Sequence, residues 1–299
     1  MRIGCKWILL RLYPLTTQSA CRKFLKMGLM NNVTIVFREK QDHSSRPESQ
    51  LAKSRTCVYI AAKEKEEIIA TPKIVVVIPA YNEALSIGKV VAEIPCPPVR
   101  EVIVVDNAST DRTAELARSE GALVEYEAEP GYGAACLRGI AKAQQLNAEL
   151  LVFMDGDHSD YGEELPMLIA PILAGQCDMV IGSRALGVAE AGALTPQQRY
   201  GNQLACFLMR VLLGAHYTDL GPFRAITMTA LQQIGMTDRN YGWTVEMQIK
   251  AAKHRLRVQE VPVRYRKRIG KSKVSGTVKG VLMAGYKIIF TILKHAVWK

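Results

Sequence analysis

The sequence predicts an α/β fold in which a mostly parallel central sheet is covered by helices on both faces. Three observations predict it. From Lys73 onward, short β-branched runs alternate with helical stretches. Those runs are continuously apolar, whereas a strand with one wet face would alternate polar and apolar positions. Three of the runs end in polar, acidic turns, and open α/β sheets bind their ligands at the carboxyl ends of the strands.

The elements follow in order. Strand runs at residues 74–78, 102–105, 124–126, 150–154 and 179–181 are separated by helical stretches at 85–94, 112–120, 134–146 and 163–174. Beyond them come an apolar helix at about 200–213, the segment 218–224, a helix near 243–253 and a strand-like stretch at 256–265. A basic loop over 264–273 then leads to a last helix at roughly 277–298. On a wheel of 100° per residue, Lys279, Lys287 and Lys294 of that helix fall within about an 80° arc and apolar residues fill the remainder. A wide apolar face with a narrow cationic stripe suits a membrane interface, and docking on the protein's own core is the alternative.

The bulk properties bound what the chain can be. At 299 residues and 48% hydrophobic content it can bury one substantial core with appendages. Its seven cysteines form no CxxC pair, and an odd count argues against a closed disulfide framework. The net charge of +11 is unevenly spread: residues 1–38 hold seven Lys/Arg and no acid, and residues 250–299 hold fourteen against Glu260 alone. An acidic centre suits a divalent cation, and basic flanks suit phosphates. No stretch reaches the roughly 18–20 apolar residues of a spanning helix. Residues 1–71 are expected to be a basic, disordered extension, with a targeting segment or a start codon placed too early as alternatives.

The chemistry gathers at the three strand ends. The first runs into Pro79-Ala80-Tyr81-Asn82-Glu83, the second into Asp106-Asn107-Ala108-Ser109-Thr110-Asp111, the third into Asp155-Gly156-Asp157. Two carboxylates in a tight Gly turn can both face one hard cation, which suits Mg²⁺ or Mn²⁺ on a diphosphate. Asp-Gly-Asp is also an ordinary turn, and its place after an apolar strand raises it above that reading.

These motifs, in order with Gly131-Tyr132-Gly133 and Val180-Ile181-Gly182-Ser183-Arg184, resemble glycosyltransferase family 2 and its branch of dolichyl-phosphate mannose and glucose synthases. The resemblance implies the GT-A fold, a Rossmann-like nucleotide-diphospho-sugar transferase architecture, over residues 72–273, with 274–299 as an appended amphipathic helix. It implies that Pro79, Tyr81, Glu83 and Asp106 hold the nucleoside and that Asp155 and Asp157 bind the metal. A glutamine ligand common two positions later in the mannosyl branch is replaced by Ser159. Gly131 and Gly133 could turn backbone N–H groups toward a phosphate, or simply make a loop-to-helix turn. Arg184, Arg199 and Arg224 match positions that receive the acceptor phosphate, and Glu246 and Trp243 would lie near the donor sugar. Arg268, Lys271 and Lys273 match the family's cationic loop that closes over the diphosphate and the acceptor phosphate.

The expected activity is inverting transfer of a hexose from a UDP- or GDP-linked donor to a polyprenyl or dolichyl phosphate, peripheral on a membrane in the cytoplasm. A hydroxyl acceptor would need a base, with Asp219 or Glu246 as candidates, and a phosphate would not. A family 2 enzyme with a soluble or polysaccharide acceptor, a sugar nucleotidyltransferase and a non-catalytic binding protein are the alternatives. No nucleic acid is expected, because the basic loop has sparse aromatic interleaving and no accompanying nucleic-acid module.

Overall fold

The computed structural model describes residues 72–270 and the helix at 278–297, together with the backbone of two short strands among the first 70 residues. The chain divides into two compact units, Met1–Ala70 and Thr71–Lys299. In the first, β1 (Val33–Val36) pairs antiparallel with β2 (Tyr59–Ala62). The expectation of a disordered extension otherwise falls outside the described residues, as do Lys271 and Lys273 of the basic loop.

The second unit is built on a seven-stranded sheet. Its strands are β3 (Ile74–Ala80), β4 (Val99–Asp106), β5 (Leu123–Tyr126), β6 (Leu150–Phe153), β7 (Met179–Ala189), β8 (Arg224–Thr227) and β9 (Val258–Tyr265), in the spatial order β5-β4-β3-β6-β8-β7-β9. Only β8 runs against its neighbours; β3 is parallel to both β4 and β6. Registers such as Ala80 opposite Asp106 and Val77 opposite Phe153 bring the carboxyl ends of β3, β4 and β6 to one edge.

Alternation along β3 shows why its sequence is apolar throughout. Ile74, Val76 and Ile78 face one cluster, with Ile87, Val90, Leu165 and Leu168. Val75 and Val77 face the other, with Ala135, Ile140, Trp243 and Met247. The covering helices are α1 (Ile87–Ala92), α2 (Thr113–Ser119), α3 (Tyr132–Gln145) and α4 (Leu165–Leu173). Then come α5 (Pro196–Leu213), α6 (Met228–Ile234), α7 (Trp243–Lys253) and α8 (Val278–Val297).

Within the second unit, two elements were absent from the sequence reading, β8 and α6. The strand is four residues opening on an arginine, so it offers no apolar run; the helix is a single short segment capped by Thr227, whose hydroxyl accepts from the Ala230 N–H. The last helix is not a free appendage. Ile292 is fully buried in a third cluster with Ala205, Met209, Val245 and Ile249, which ties α8 to α5 and α7. Burying one such side chain contributes about 1.5–3 kcal/mol. Among the described residues no helix is long and apolar enough to cross a membrane.

Candidate active site

The three strand ends are laced into one crevice by hydrogen bonds that cross between turns. Asn82 N–H donates to Ser109 Oγ (2.9 Å), and Thr110 N–H donates back to Asn82 Oδ1 (2.8 Å), joining the first turn to the second. Asn107 Oδ1 accepts from Gly131 N–H (2.8 Å), joining the second turn to the start of α3. Tyr132, the next residue, donates its hydroxyl to Asp155 Oδ1 (3.0 Å), which joins α3 to the third turn. Each turn also holds one non-glycine residue in the left-handed region: Asn82 at φ 53°, Ala108 at φ 58° and His158 at φ 65°. Such backbone costs of order 1–3 kcal/mol each and persists where surrounding contacts over-determine it, as these crossing bonds do.

Asp106 is buried and accepts from Ser109 N–H through Oδ1 (3.1 Å), so its Asx turn shapes the β4 end. Asp111, one residue ahead of the N-cap Arg112, accepts from Thr113 N–H (3.0 Å) at the start of α2. Pro79 is buried at the end of β3, and Tyr81 is exposed just beyond it. Glu83 accepts from the Ser86 hydroxyl (3.1 Å).

The acid pair sits in a cage. Asp157 Oδ1 accepts from both the amide (3.0 Å) and the hydroxyl (2.5 Å) of Ser159, while Oδ2 is ion-paired with Arg268. Ser159 therefore orients the carboxylate beside it. Burial raises the Asp155 carboxyl above the usual range, against the opposing pull of Arg268 and Tyr132. A third acid, Asp160, lies fully buried beneath the pair, its Oδ2 accepting from Asp155 N–H (3.4 Å). Burial and then the Asp155 charge push Asp160 up to about 7. Asp155 and Asp157 both feel the Arg268 guanidinium, and a pair of carboxylates that can attract one cation also suits a divalent ion. Among the described residues no group of three or more His, Cys, Asp or Glu could hold such an ion alone. Mg²⁺ commonly takes one or two carboxylates and completes its shell with substrate phosphates and water, which is what two aspartates facing a diphosphate would provide.

Asp160 gives a pH prediction for the metal-free protein. Its folded value, about 7, exceeds the ordinary 3.8, so the folded state keeps a proton that the unfolded chain releases. The stabilising contribution is therefore complete below the lower value and lost as the pH rises through the higher one. Asp160→Asn should gain stability over the parent at pH 8 and little or none at pH 4, read by urea unfolding in EDTA.

The basic loop is anchored along the back of the third turn. Arg266 bonds the His158 carbonyl (2.6 Å) and the Asp160 carbonyl (3.1 Å) and pairs with Glu93, whose other oxygen meets His158 Nε2 (2.8 Å). Ile269 N–H donates to the Asp157 carbonyl (2.9 Å), so Arg268 is delivered to the acid pair by backbone pairing. Arg264 points elsewhere, to Glu163 and Glu164.

Several expected roles are corrected by burial. Arg224 is fully buried and bonds the carbonyls of Gly221, Leu220 and Thr244, so it braces the core and cannot reach an acceptor. Trp243 is fully buried edge-on to Phe153, centroids 4.7 Å apart, and so is not available to stack on a sugar. Glu246 binds Lys250 Nζ (2.8 Å), the Thr237 hydroxyl (2.5 Å) and Asp238 N–H (2.8 Å). Burial alone would raise its carboxyl, but the Lys250 and Thr237 bonds hold it below the ordinary value, so it is a loop clamp and a poor base. Asp219 accepts from Arg184 Nε, Nη2 and N–H (2.7, 2.7 and 2.8 Å), which occupies both its oxygens. Arg199 is exposed on the first turn of α5.

Gly131 and Gly133 serve packing. Ala134 N–H donates to the Arg239 carbonyl (2.8 Å), and a Cβ at Gly131 or Gly133 would collide with the carbonyl oxygen of Arg239 or Asp238. Gly133→Ala is expected to lower the unfolding free energy by about 1–3 kcal/mol, the usual cost of overpacking, measured by chemical denaturation. Sequence reasoning assigned no role to Tyr132, Asn107, Asp160 and Arg266; Tyr132 stood inside the Gly-Tyr-Gly motif, Asn107 inside the second strand-end turn and Arg266 inside the basic loop, and Asp160 carried no local signal.

An acid at the end of β4, an acid pair after β6 and a cation returning from β9 meet at the carboxyl edge of a mixed sheet, and that arrangement defines the GT-A class of nucleotide-diphospho-sugar transferase. Residues 75–235 match the model of the family described as Glycosyl transferase family 2. The chain belongs to glycosyltransferase family 2 and is a glycosyltransferase. An uncharacterized glycosyltransferase of Mycobacterium tuberculosis is 35% identical over 218 residues, 72% of this chain and 96% of that one. An undecaprenyl-phosphate mannosyltransferase of Micrococcus luteus is 28% identical over 220 residues, 70% of this chain and 90% of that one. The crystal structure of glucosyl-3-phosphoglycerate synthase from Mycobacterium tuberculosis, in complex with Mn²⁺, UDP and glucosyl-3-phosphoglycerate, shares the fold. Its TM-score is 0.63 at 23% identity, over 76% of this chain and 81% of that one.

Proposed function

We propose that this chain transfers a hexose, with inversion, from a UDP- or GDP-linked donor to the phosphate of a polyprenyl or dolichyl lipid at the cytoplasmic side of a membrane. The observation that carries the acceptor assignment is the state of the two candidate bases. Asp219 is held on both oxygens by Arg184, and Glu246 is clamped by Lys250 and Thr237. A hydroxyl acceptor needs a base to take its proton, whereas a phosphate arrives as an anion. The lipid-phosphate activity of the Micrococcus luteus relative agrees with this reading.

In this mechanism Pro79, Tyr81, Glu83 and Asp106 receive the nucleoside, a carboxylate being the natural acceptor for a ribose diol or base N–H. Asp155 and Asp157 hold Mg²⁺ or Mn²⁺, oriented by Tyr132 and Ser159. The ion, when bound, neutralises charge developing on the departing nucleoside diphosphate. Arg268 leaves Asp157 for the diphosphate, adding a fixed cation where negative charge grows. Arg199, Lys271 and Lys273 receive the acceptor phosphate.

Incubation of the full chain with labelled UDP-glucose, UDP-N-acetylglucosamine or GDP-mannose, Mn²⁺ or Mg²⁺, and polyprenyl phosphate in detergent tests the proposal. Label should pass into an organic-extractable, acid-labile glycolipid. Label found only in water-soluble acceptors removes the lipid reading and leaves the family assignment standing.

A further inference from the structure

Helices α5 and α8 are apolar on two opposite sides. On α5, Ala205 and Met209 face the third core cluster. Tyr200, Leu204, Phe207 and Val211 lie on the other side, within about a 60° arc at helical spacing, and are 72%, 38%, 60% and 63% exposed. On α8, Ile288 and Ile292 face the same cluster, whereas Leu282, Tyr286, Phe290 and Leu293 point away and are 66%, 65%, 47% and 46% exposed. The two helices pack against each other, so both stripes look outward from one layer. An exposed apolar stripe on each of two neighbouring helices is the kind of surface that marks an interaction site.

The charge around the stripes selects the partner. Neither helix contains an Asp or Glu; α5 carries Arg199 and Arg210, and α8 carries Lys294 and Lys287, the latter paired with Asp238 (2.9 Å). A second copy of the chain would bring like charges face to face, whereas an anionic bilayer attracts them while its headgroup region accepts Phe, Tyr and Leu side chains. We infer that α5 and α8 together form a docking platform that seats the domain on an anionic lipid bilayer. This rests on the membrane-surface part of the proposed function and extends it to α5. That helix is joined to the acceptor side: Asn202 accepts from Leu220 N–H (2.8 Å) and donates to the Thr218 carbonyl (3.0 Å), bracketing the Asp219 that holds Arg184.

The test is co-sedimentation of the full chain with vesicles of phosphatidylcholine alone or containing about 30% phosphatidylglycerol, an anionic fraction large enough to set a negative surface potential. The parent should sediment with the anionic vesicles and be released by high salt. Phe207→Ser/Phe290→Ser, at two exposed positions, should keep the parental melting temperature and lose vesicle binding by about tenfold or more. The inference is overturned if the parent ignores both vesicles, if the variant binds as the parent does, or if the variant instead dissolves a dimer seen by light scattering. Transfer to polyprenyl phosphate in detergent is assayed alongside. Lipid product without vesicle binding removes only the platform; vesicle binding without lipid product removes only the acceptor assignment.

Discussion

Asp157→Asn is expected to lower kcat for sugar transfer by about 10²–10³-fold, the range seen when a group that stabilises transition-state charge is removed. The geometry makes this a clean substitution. Oδ1 keeps its two bonds from Ser159, so the turn should hold its shape. Oδ2, which faces Arg268, becomes an amide that donates instead of accepting, and it repels both the guanidinium and an incoming cation. The melting temperature should therefore change little while raised Mn²⁺ fails to restore turnover. A variant retaining more than about a third of the parental kcat would place the chemistry elsewhere.

The second large effect is on stability. Asp219→Asn should cost about 3–5 kcal/mol in urea unfolding, because it leaves the Arg184 guanidinium buried without its counter-charge. The side chains are 14% and 2% exposed, and the pairing is bidentate at 2.7 Å on each arm. The Asp219 carboxylate raises the Arg184 value despite a burial effect that lowers it, which marks a strongly stabilised charged pair. Arg184→Met combined with Asp219→Leu should recover most of the loss, since apolar side chains of similar size can replace a buried pair without leaving an orphan charge. If Arg184 also contacts the acceptor, the recovered double variant will be folded yet defective in KM for the lipid phosphate. A purely structural pair predicts normal kinetics in the rescued protein.

These effects show what sequence could and could not disclose. The strand at 74–80 was legible because burial on both faces forces every position to be apolar, and the same held for 150–153. The motif acids were legible because a Gly-turned Asp pair after such a strand has few other uses. Arg224 and Trp243 were misread because residue type announces chemistry and not depth. Arg224 is bonded to carbonyls from 220–221 and 244, and Trp243 is sealed by Phe153 from β6. Likewise, the need for glycine at 131 and 133 arises from carbonyls at 238–239, a segment more than 100 residues away in sequence. Tertiary proximity of that kind leaves no local pattern to read. The opposite case is Ser159, a visible departure from the family's glutamine whose consequence, a short grip on Asp157, needed the fold to interpret.

The central claim is that the ends of β3, β4 and β6 form a single metal-dependent donor crevice. Calorimetric titration of UDP and GDP into the full chain, with Mn²⁺ and then with EDTA, tests it most directly. One nucleotide should bind with Mn²⁺ and lose at least about tenfold in affinity with EDTA, the loss expected when the counter-ion of a diphosphate is removed. Asp106→Ala on β4 and Asp155→Asn after β6 should each weaken that same binding, although they stand on different strands. Affinity that is indifferent to EDTA, or that survives both substitutions unchanged, would contradict the account.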